Sequence, residues 1–349
     1  LGIRTGWLSS RLPAAEKKAV RREIEAGEIQ IAIGTHALFQ ESVRFARLGL
    51  IIVDEQHRFG VDQRLALKKK GDEGGRVPHQ LIMSATPIPR SLSMVYYADL
   101  DVSSIDELPP GRKPVNTVVI PDSRREEVQE RVRTACRQGR QAYWVCPLID
   151  ESESLQAQAA TDTADRLSES LSELRVALIH GKMKAAEKDR LMQSFRQGAI
   201  DLLVATTVIE VGVDVPNASL MIIENAERLG LAQLHQLRGR VGRGDQEAAC
   251  VLMYQAPLGK NSRRRLEIMR QTNDGFEIAR HDLEFRGPGE LMGTRQTGEQ
   301  SLRVADIVRD QGLLPLVERA ARILSAEHPE KSEQIIARWV RNQARYAEV

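Results

Sequence analysis

Short continuous apolar runs alternate with a helical pattern in the first part of the chain. The runs cover residues 29–33, 48–53 and 81–83, and the helical pattern covers 14–26. Runs of this kind, separated by helices, are typical of a parallel sheet that is buried on both faces. The pattern therefore predicts an α/β domain in this region.

The same alternation returns later in the chain. Helical patterns at 123–136 and 184–196 lie among six runs that we predict as strands, at 117–120, 141–146, 175–179, 201–205, 219–223 and 248–254. The segment 150–165 is rich in Glu, Ser, Gln and Ala, and we predict a surface excursion there. The sequence thus predicts a second parallel α/β domain.

A proline-rich stretch separates these two regions. Residues 108–114 contain three prolines and a glycine, which neither a helix nor a central strand accommodates. We therefore predict a first domain at 1–108, a linker at 109–114 and a second domain at 115–256. Residues 257–349 form a tail whose start is basic, whose segment 282–300 is Gly-rich and whose end is helical in pattern.

Composition and charge limit the class of protein. The 349 residues carry a formal net charge of +2, so that a nucleic-acid site has to come from local basic clusters. The three cysteines form no CxxC pair, which argues against a disulfide scaffold or a thiolate zinc site and favours a reducing cytoplasm. No apolar run approaches the ~20 residues of a membrane span.

Polar residues follow several of the predicted strands. Asp54 and Glu55 come directly after the apolar run 48–53, where one carboxylate can hold Mg²⁺ through its water shell and the next can orient an attacking water. An ordinary solvated acidic turn would give the same residues. Ser84 and Thr86 follow the run 81–83, and their hydroxyls could couple two strand ends or simply cap a helix.

Two further clusters lie in the second domain. Thr206 and Thr207 end a predicted strand and could contact a phosphate backbone, with Asp214 placed for a ribose hydroxyl; strand-loop packing is the alternative. Arg240 and Arg243 are three residues apart beside glycines, so that on a helix they share one face. Two guanidiniums in this setting are suited to nucleotide phosphates, although a solvated basic turn is the other interpretation.

Together, these clusters resemble the motor of superfamily-two helicases and translocases, in which two RecA-like domains bind ATP between them. Residues 54–57, 84–90, 206–214 and 236–243 match four of its motifs in order, and 34–36 and 180–183 resemble auxiliary DNA-contact motifs. The resemblance implies that Asp54 holds Mg²⁺, that Glu55 is the catalytic base and that two arginine fingers act on ATP. The remaining implied residues are Gly212, Asp214, Gln236 and the arginines Arg240 and Arg243 at the nucleotide, and Thr35, His36, Ser84, Thr86, Thr206 and Thr207 on DNA.

Longer strings narrow the resemblance to the RecG family of bacterial branched-DNA helicases. They are 54–64, 84–90, 139–153 and 231–237, together with 282–298, which is similar to a translocation element shared with the transcription-repair coupling factor. The resemblance implies that Arg286, Arg295 and Gln296 couple ATP hydrolysis to DNA movement. It further implies a monomer in the bacterial cytoplasm, associated with the nucleoid, that acts on stalled forks and Holliday junctions and contacts single-strand-binding protein.

The sequence departs from the family in one respect. It contains no GxxxxGK[ST], the loop that cradles ATP phosphates, and it opens at Leu1 rather than at Met. In the RecG family, the phosphate loop and a wedge domain lie upstream of the matching region. We therefore expect a C-terminal motor fragment, with the first RecA-like domain incomplete, that does not turn over ATP alone.

Three alternatives remain open at this stage. A duplex-DNA translocase of the coupling-factor type shares motor and tail, although Gln56 and the short chain after the tail favour RecG. A non-enzymatic interaction domain is disfavoured by the presence of Glu55, Arg240 and Arg243. A nucleotide-dependent metabolic enzyme would need a Gly-rich first turn after its first strand, which is absent from this sequence.

Overall fold

The computed structural model describes two compact units of the chain. The described residues are 2–55, 70, 77–84, 101–105, 107–109, 111–147, 153–206, 215–244, 246–286 and 309–339. One unit comprises Leu1–Ala85 with Glu333–Val349, and the other comprises Thr86–Ser332. We describe each unit by itself.

The first unit contains two pairs of parallel strands. Strands β1 (Thr5–Leu8) and β2 (Ile31–Gly34) pair with each other and are connected through helix α1 (Ala14–Glu25). Strands β3 (Leu50–Val53) and β4 (His79–Ile82) form the second pair. The largest core of this unit lies around Leu8, Ile24 and Val43, all of which are buried. The strands β2, β3 and β4 overlap the predicted runs, whereas β1 was not predicted.

The second unit is built on a parallel sheet of six strands in the order β5–β10–β9–β6–β8–β7. Central strands β6, β8 and β9 are buried along their whole length, because side chains on both faces of the sheet are covered. The α/β prediction is thereby confirmed. The strand bounds are β5 (Asn116–Pro121), β6 (Gln141–Val145), β7 (Val176–Ile179), β8 (Leu202–Ala205), β9 (Ala218–Ile223) and β10 (Ala249–Tyr254).

Helices cover both faces of this sheet, and two apolar cores result. Tyr143 and Phe195 meet edge to face in one core with a centroid distance of 4.9 Å, and Trp144 lies fully buried in the other. The helices are α2 (Arg125–Arg137), α3 (Glu153–Ser170), α4 (Ala185–Arg196), α5 (Leu231–Arg238), α6 (Lys260–Gln271) and α7 (Gly275–Arg286).

Helix α3 corrects the prediction of a surface excursion at 150–165. The helix runs from Glu153 to Ser170, and its buried residues include Ala160, Ala164 and Leu167. These positions are four and three residues apart, which is the spacing of one helical face. The prediction was wrong because the stripe is made largely of alanines, whose small side chains give a weak apolar signal among many polar residues.

The described part of the tail is helical, as predicted. Helices α8 (Leu314–Glu327) and α9 (Pro329–Trp339) follow one another within residues 309–339. Among the described residues, no helix is both long enough and apolar enough to span a membrane.

All three cysteines are buried in the second unit. Burial raises the pKa of the Cys136 thiol to about 11, and that of Cys146 and Cys250 to about 12. These thiols are therefore almost entirely protonated at neutral pH and pack as small apolar side chains.

Candidate active site

The acidic pair Asp54–Glu55 lies at the carboxyl end of β3. Asp54 is exposed, and its carboxylate accepts a hydrogen bond from the backbone N–H of Glu55 at 2.9 Å. Glu55 has a φ of 55°, in the left-handed region that costs a residue with a Cβ about 1–2 kcal/mol. This backbone conformation turns the chain sharply as it leaves the strand, where Asp54 is exposed and Glu55 is half-buried.

Ser84 lies at the same edge of this strand pair. Val53 of β3 is in register with Ile82 of β4, and the N–H of Met83 donates to the carbonyl of Val53 at 2.8 Å. The carboxyl ends of the two strands are thus adjacent, and Ser84 is exposed there. The structure therefore places Ser84 and the acidic pair at adjacent strand ends. The coupling of the two ends through Ser84 stays a prediction.

Thr35 and His36 follow β2 and are both exposed. The Thr35 N–H donates to the carbonyl of Leu8 at 3.2 Å, which fixes the start of the loop on β1. Lys70 holds the end of the same loop, because its ammonium donates to the carbonyls of Leu38 at 3.3 Å and Val43 at 3.0 Å. Sequence inspection missed Lys70, because nothing distinguishes it from the two lysines that precede it in the run 68–70.

Thr206 lies at the carboxyl end of β8 in the second unit. The residue is buried, and its hydroxyl oxygen has no hydrogen-bond partner among the residues that the structure describes. Its N–H donates to the carbonyl of Ile179 at 3.3 Å, which ties it to the end of β7. A buried hydroxyl without a partner is costly unless another group binds it, which agrees with a ligand contact at this strand end.

The arginines Arg240 and Arg243 lie in an irregular turn, and this corrects the expectation that they share a helical face. Helix α5 ends at Arg238, and Gly242 has a φ of 73°. The N–H of Arg240 donates to the carbonyl of Leu237 at 3.0 Å, and Nε of Arg243 donates to the carbonyl of Gly239 at 3.2 Å. Gln236 is half-buried on the last turn of α5. Arg240 and Arg243 are therefore placed by the turn and not by helical spacing.

Arg238 ties the start of this turn to the end of α6. It is buried, and its Nη1 donates to the carbonyls of Met269 at 2.8 Å and Thr272 at 2.9 Å, at the end of α6. Arg112 donates to the carbonyl of Gly239 at 3.2 Å. The sequence analysis predicted neither the contacts of Arg238 nor that of Arg112. In the sequence, nothing distinguishes Arg238 from Arg240 and Arg243.

His235 makes the folding stability of the chain dependent on pH. Burial, followed by the nearby charges of Arg238 and Arg112, lowers the pKa of its imidazole to about 4. Because the unfolded chain binds a proton near pH 6.5 and the folded one does not, the stability that the neutral imidazole confers is present above pH 6.5 and is lost as the pH falls towards 4. We expect the loss to amount to about 3 kcal/mol between pH 7 and pH 4.

Urea unfolding of the wild-type chain and of His235→Gln at both pH values measures this contribution. The difference in unfolding free energy between the two proteins should change by about 3 kcal/mol across the range. An unchanged difference would show that His235 titrates normally in the folded protein.

A buried carboxylate at the end of β9 was also missed. Glu224 accepts a hydrogen bond from Nε1 of Trp144 at 2.6 Å and forms an ion pair with Arg125 at 2.6 Å. The Arg125 guanidinium lies 5.6 Å from the Trp144 ring centroid. Glu224 directly follows an apolar strand, as Asp54 does, and this shared position is the signal that could have found it. Its partners make it a link between β6, β9 and α2.

Several predicted site residues lie outside the described residues. They are Thr86, Thr207, Gly212, Asp214, Arg295 and Gln296. Arg286 is the last residue of α7. The roles predicted for these residues stay predictions.

The groups at the end of β3 fit a hydrated magnesium ion. Mg²⁺ prefers oxygen ligands, keeps several waters and is commonly bound through one or two carboxylates, and Asp54 presents an exposed carboxylate. In the described stretches, no group of three or more His, Cys, Asp or Glu residues could hold a metal ion. In the second unit, the amide of Gln236 and the guanidiniums of Arg240 and Arg243 are suited to the phosphates of a nucleotide.

Three protein families match successive parts of the chain. Residues 3–95 match the DEAD/DEAH box helicase family, and residues 123–245 match the helicase conserved C-terminal domain. Residues 272–344 match the family described as ATP-dependent DNA helicase RecG, domain 3, C-terminal.

Curated relatives named ATP-dependent DNA helicase RecG match almost the whole chain. The relative from Escherichia coli O127:H6 is 60% identical over 99% of this chain and 50% of its own length. The relative from Thermotoga maritima is 49% identical over 95% of this chain and 42% of its own length. The chain thus spans about half the length of the curated relatives it matches.

Solved structures agree with this result. The match to the structure of RecG bound to a three-way DNA junction covers 90% of this chain and 40% of the RecG chain in that structure. The sequence identity is 46% and the TM-score is 0.68. The Mycobacterium smegmatis helicase Lhr, bound to ssDNA and AMP-PNP, matches with 20% identity and a TM-score of 0.55 over 78% of this chain and 37% of its own. The second likeness concerns the fold alone.

The parallel sheets, the acidic strand end and the arginine turn define a helicase-class protein with RecA-like folds. Within that class, two findings are decisive. Residues 272–344 match the RecG family model, and the curated RecG relatives from Escherichia coli O127:H6 and Thermotoga maritima are 60% and 49% identical over 99% and 95% of this chain. The chain belongs to the RecG family.

Proposed function

We propose that this chain is the motor part of an ATP-dependent DNA helicase that acts on branched DNA, as at stalled replication forks and Holliday junctions. The observation that carries the proposal is the match to the RecG structure bound to a three-way DNA junction, at 46% identity over 90% of the chain. The acidic strand end and the arginine turn would supply two of the groups of side chains that ATP hydrolysis requires, beside a phosphate-binding loop.

Each group has a distinct part in the proposed reaction. Asp54 would hold the magnesium ion through water, and Glu55 would accept a proton from the attacking water. Arg240 and Arg243 would neutralise the charge that develops on the transferred phosphoryl group, and Gln236 would contact the nucleotide. ATP with its bound magnesium supplies the phosphoryl group and the free energy of the cycle. Thr35, His36, Ser84 and Thr206 would contact DNA, mainly through phosphates, so that binding depends weakly on sequence and strongly on salt.

The substrate class can be tested with a fusion protein, because the chain alone contains no GxxxxGK[ST] loop. In this RecG fusion, the part of the 60% identical relative that precedes the matched region is joined to Leu1. ATPase rates are then compared on a forked DNA and on a linear duplex of equal length and composition. Much stronger stimulation by the fork would support a branched-DNA helicase. Equal stimulation would favour a duplex translocase of the coupling-factor type.

We expect the 349-residue chain by itself to show no ATP turnover, with or without DNA. Without a phosphate-binding loop, the γ-phosphoryl group is not positioned for attack, and positioning accounts for most of the catalysis in this class. The release of phosphate is measured on the chain and on the RecG fusion at equal concentration. DNA-stimulated hydrolysis by the chain alone would contradict this expectation.

Arg286→Ala in the RecG fusion should uncouple ATP hydrolysis from strand separation. Arg286 ends α7, and the resemblance places it at the start of the translocation element. We expect DNA-stimulated ATPase to persist while fork unwinding falls by at least about tenfold, the equivalent of about 1.4 kcal/mol. Arg280→Ala, at an exposed position of α7 itself, is the matched control. Unimpaired fork unwinding by Arg286→Ala would remove the proposed role.

The proposal extends to partners and location. A motor of this family would act as a monomer in the bacterial cytoplasm, near the nucleoid, and would contact single-strand-binding protein at the fork. Pull-down of the RecG fusion with purified single-strand-binding protein tests the contact.

A further inference from the structure

A groove of about 440 Å³ lies in the second unit. Its walls are β5, α6 and the loop that follows β10. Its volume falls within the range of sites that bind small ligands or peptide side chains, roughly 300–1,000 Å³. None of the residues predicted for ATP or DNA lines it.

The groove combines an apolar wall with cationic side chains. Val119 of β5, Leu258 and the buried Leu266 form the apolar side. Arg263 and Arg270 of α6 line the groove together with Glu267. Both arginines are exposed, and their guanidiniums make no hydrogen bond or ion pair with any other described residue. They are seven residues apart, so that they project from the same face of α6. The two guanidiniums are therefore free to bind carboxylates that approach the groove.

The charge of α6 adds to this cationic character. The helix contains five basic residues and one acidic residue, namely Lys260, Arg263, Arg264, Arg265 and Arg270, with Glu267. Arg264 lies 3.6 Å from Glu284, and Arg265 donates to the carbonyl of Glu227. These two arginines therefore contact residues that do not line the groove. At the groove itself, Arg263 and Arg270 outweigh Glu267, so that a net positive charge remains there.

The strand that borders the groove is an edge strand. Among the described strands, β5 pairs only with β10, and its other edge carries no strand. The free edge of a sheet offers backbone groups to an extended chain, and pockets beside it can take alternate side chains.

We propose that this groove binds an extended acidic segment of a partner protein. Carboxylates of the segment pair with Arg263 and Arg270, and an apolar side chain enters between Val119 and Leu266. DNA is the less suitable occupant, because its phosphates would satisfy the arginines but leave the apolar wall without a contact. This inference does not rest on the proposed helicase function.

Fluorescence anisotropy with a labelled acidic peptide, Gly-Glu-Glu-Leu-Glu-Leu-Glu-Gly, tests the proposal on the 349-residue chain. Arg263→Glu with Arg270→Glu should weaken binding at least about tenfold, since two charge-assisted contacts become repulsive. Arg131→Glu with Arg196→Glu introduces the same change of net charge on exposed positions of α2 and α4 and should leave affinity within about twofold.

Two further measurements separate the apolar contact from simple charge attraction. Val119→Thr keeps the side-chain shape but adds a hydroxyl to the wall, and should weaken binding several-fold without unfolding the domain. A peptide with serine in place of leucine should bind as weakly as the double charge reversal does.

Three results would overturn the proposal: no binding of the acidic peptide, equal loss in the two double variants, or full competition by mixed-sequence duplex DNA. The last of these would assign the groove to DNA. Circular dichroism of each variant establishes that the chain has folded.

Discussion

Glu55→Gln is expected to lower ATP turnover by about 10²–10⁴-fold, because glutamine cannot accept the proton of the attacking water. ATP binding should persist, since Asp54 and the arginine turn are unchanged and the amide has the shape of the carboxylate. The backbone at Glu55, with its φ of 55°, is equally strained with either side chain.

The experiment measures single-turnover hydrolysis and equilibrium binding of a fluorescent ATP analogue in the RecG fusion. Glu187→Gln is the matched control, because Glu187 is an exposed glutamate in the first turn of α4. Turnover by Glu55→Gln at the wild-type rate would eliminate Glu55 as the base. Loss of ATP binding would instead assign Glu55 to the binding of the nucleotide.

Gly242→Ala is expected to lower the free energy of unfolding by about 2–4 kcal/mol, for two reasons that add. Gly242 has a φ of 73°, and a Cβ at this position would lie 3.0 Å from the Cβ of Ala248 and 3.2 Å from a methyl of Val115. We expect relief of this overlap to shift the turn that carries Arg240 and Arg243, so that ATPase of the RecG fusion should fall as well.

Gly198→Ala separates backbone strain from packing. Gly198 has nearly the same φ, 76°, but a Cβ there would meet nothing within 4 Å. We expect this control to lose only about 1–2 kcal/mol, which is the cost of the left-handed conformation. Urea unfolding of both variants gives the comparison, and equal losses would show that the packing around Gly242 adjusts freely.

The central sheet of the second unit was predictable because its strands are continuous apolar runs. Strands β6, β8 and β9 lie where the runs 141–146, 201–205 and 219–223 predicted them, within one or two residues. Complete burial on both faces leaves no polar alternation, and runs of Val, Ile and Leu that end at polar residues then mark each strand. The acidic pair after β3 was found by the same reasoning.

Other features depend on structure that the pattern does not encode. The arginine turn was expected on a helix, but Gly239 follows the end of α5, and the glycine at 242 adopts a conformation that no helix contains. Helix α3 was missed because alanines supply much of its buried stripe. Glu224 and Arg238 acquire their partners from strands and helices that are distant in the sequence, so that only tertiary contacts reveal them.

The burial of all three cysteines has a practical consequence for studies of motion. At neutral pH, thiols with pKa values of about 11 and 12 contain almost no thiolate, the form that reacts with maleimide dyes. Cysteines introduced on the surface of each unit should therefore take up a fluorophore pair selectively, without removal of the native ones. The wild-type chain is thus a ready background for single-molecule energy-transfer measurements of the distance between its two units.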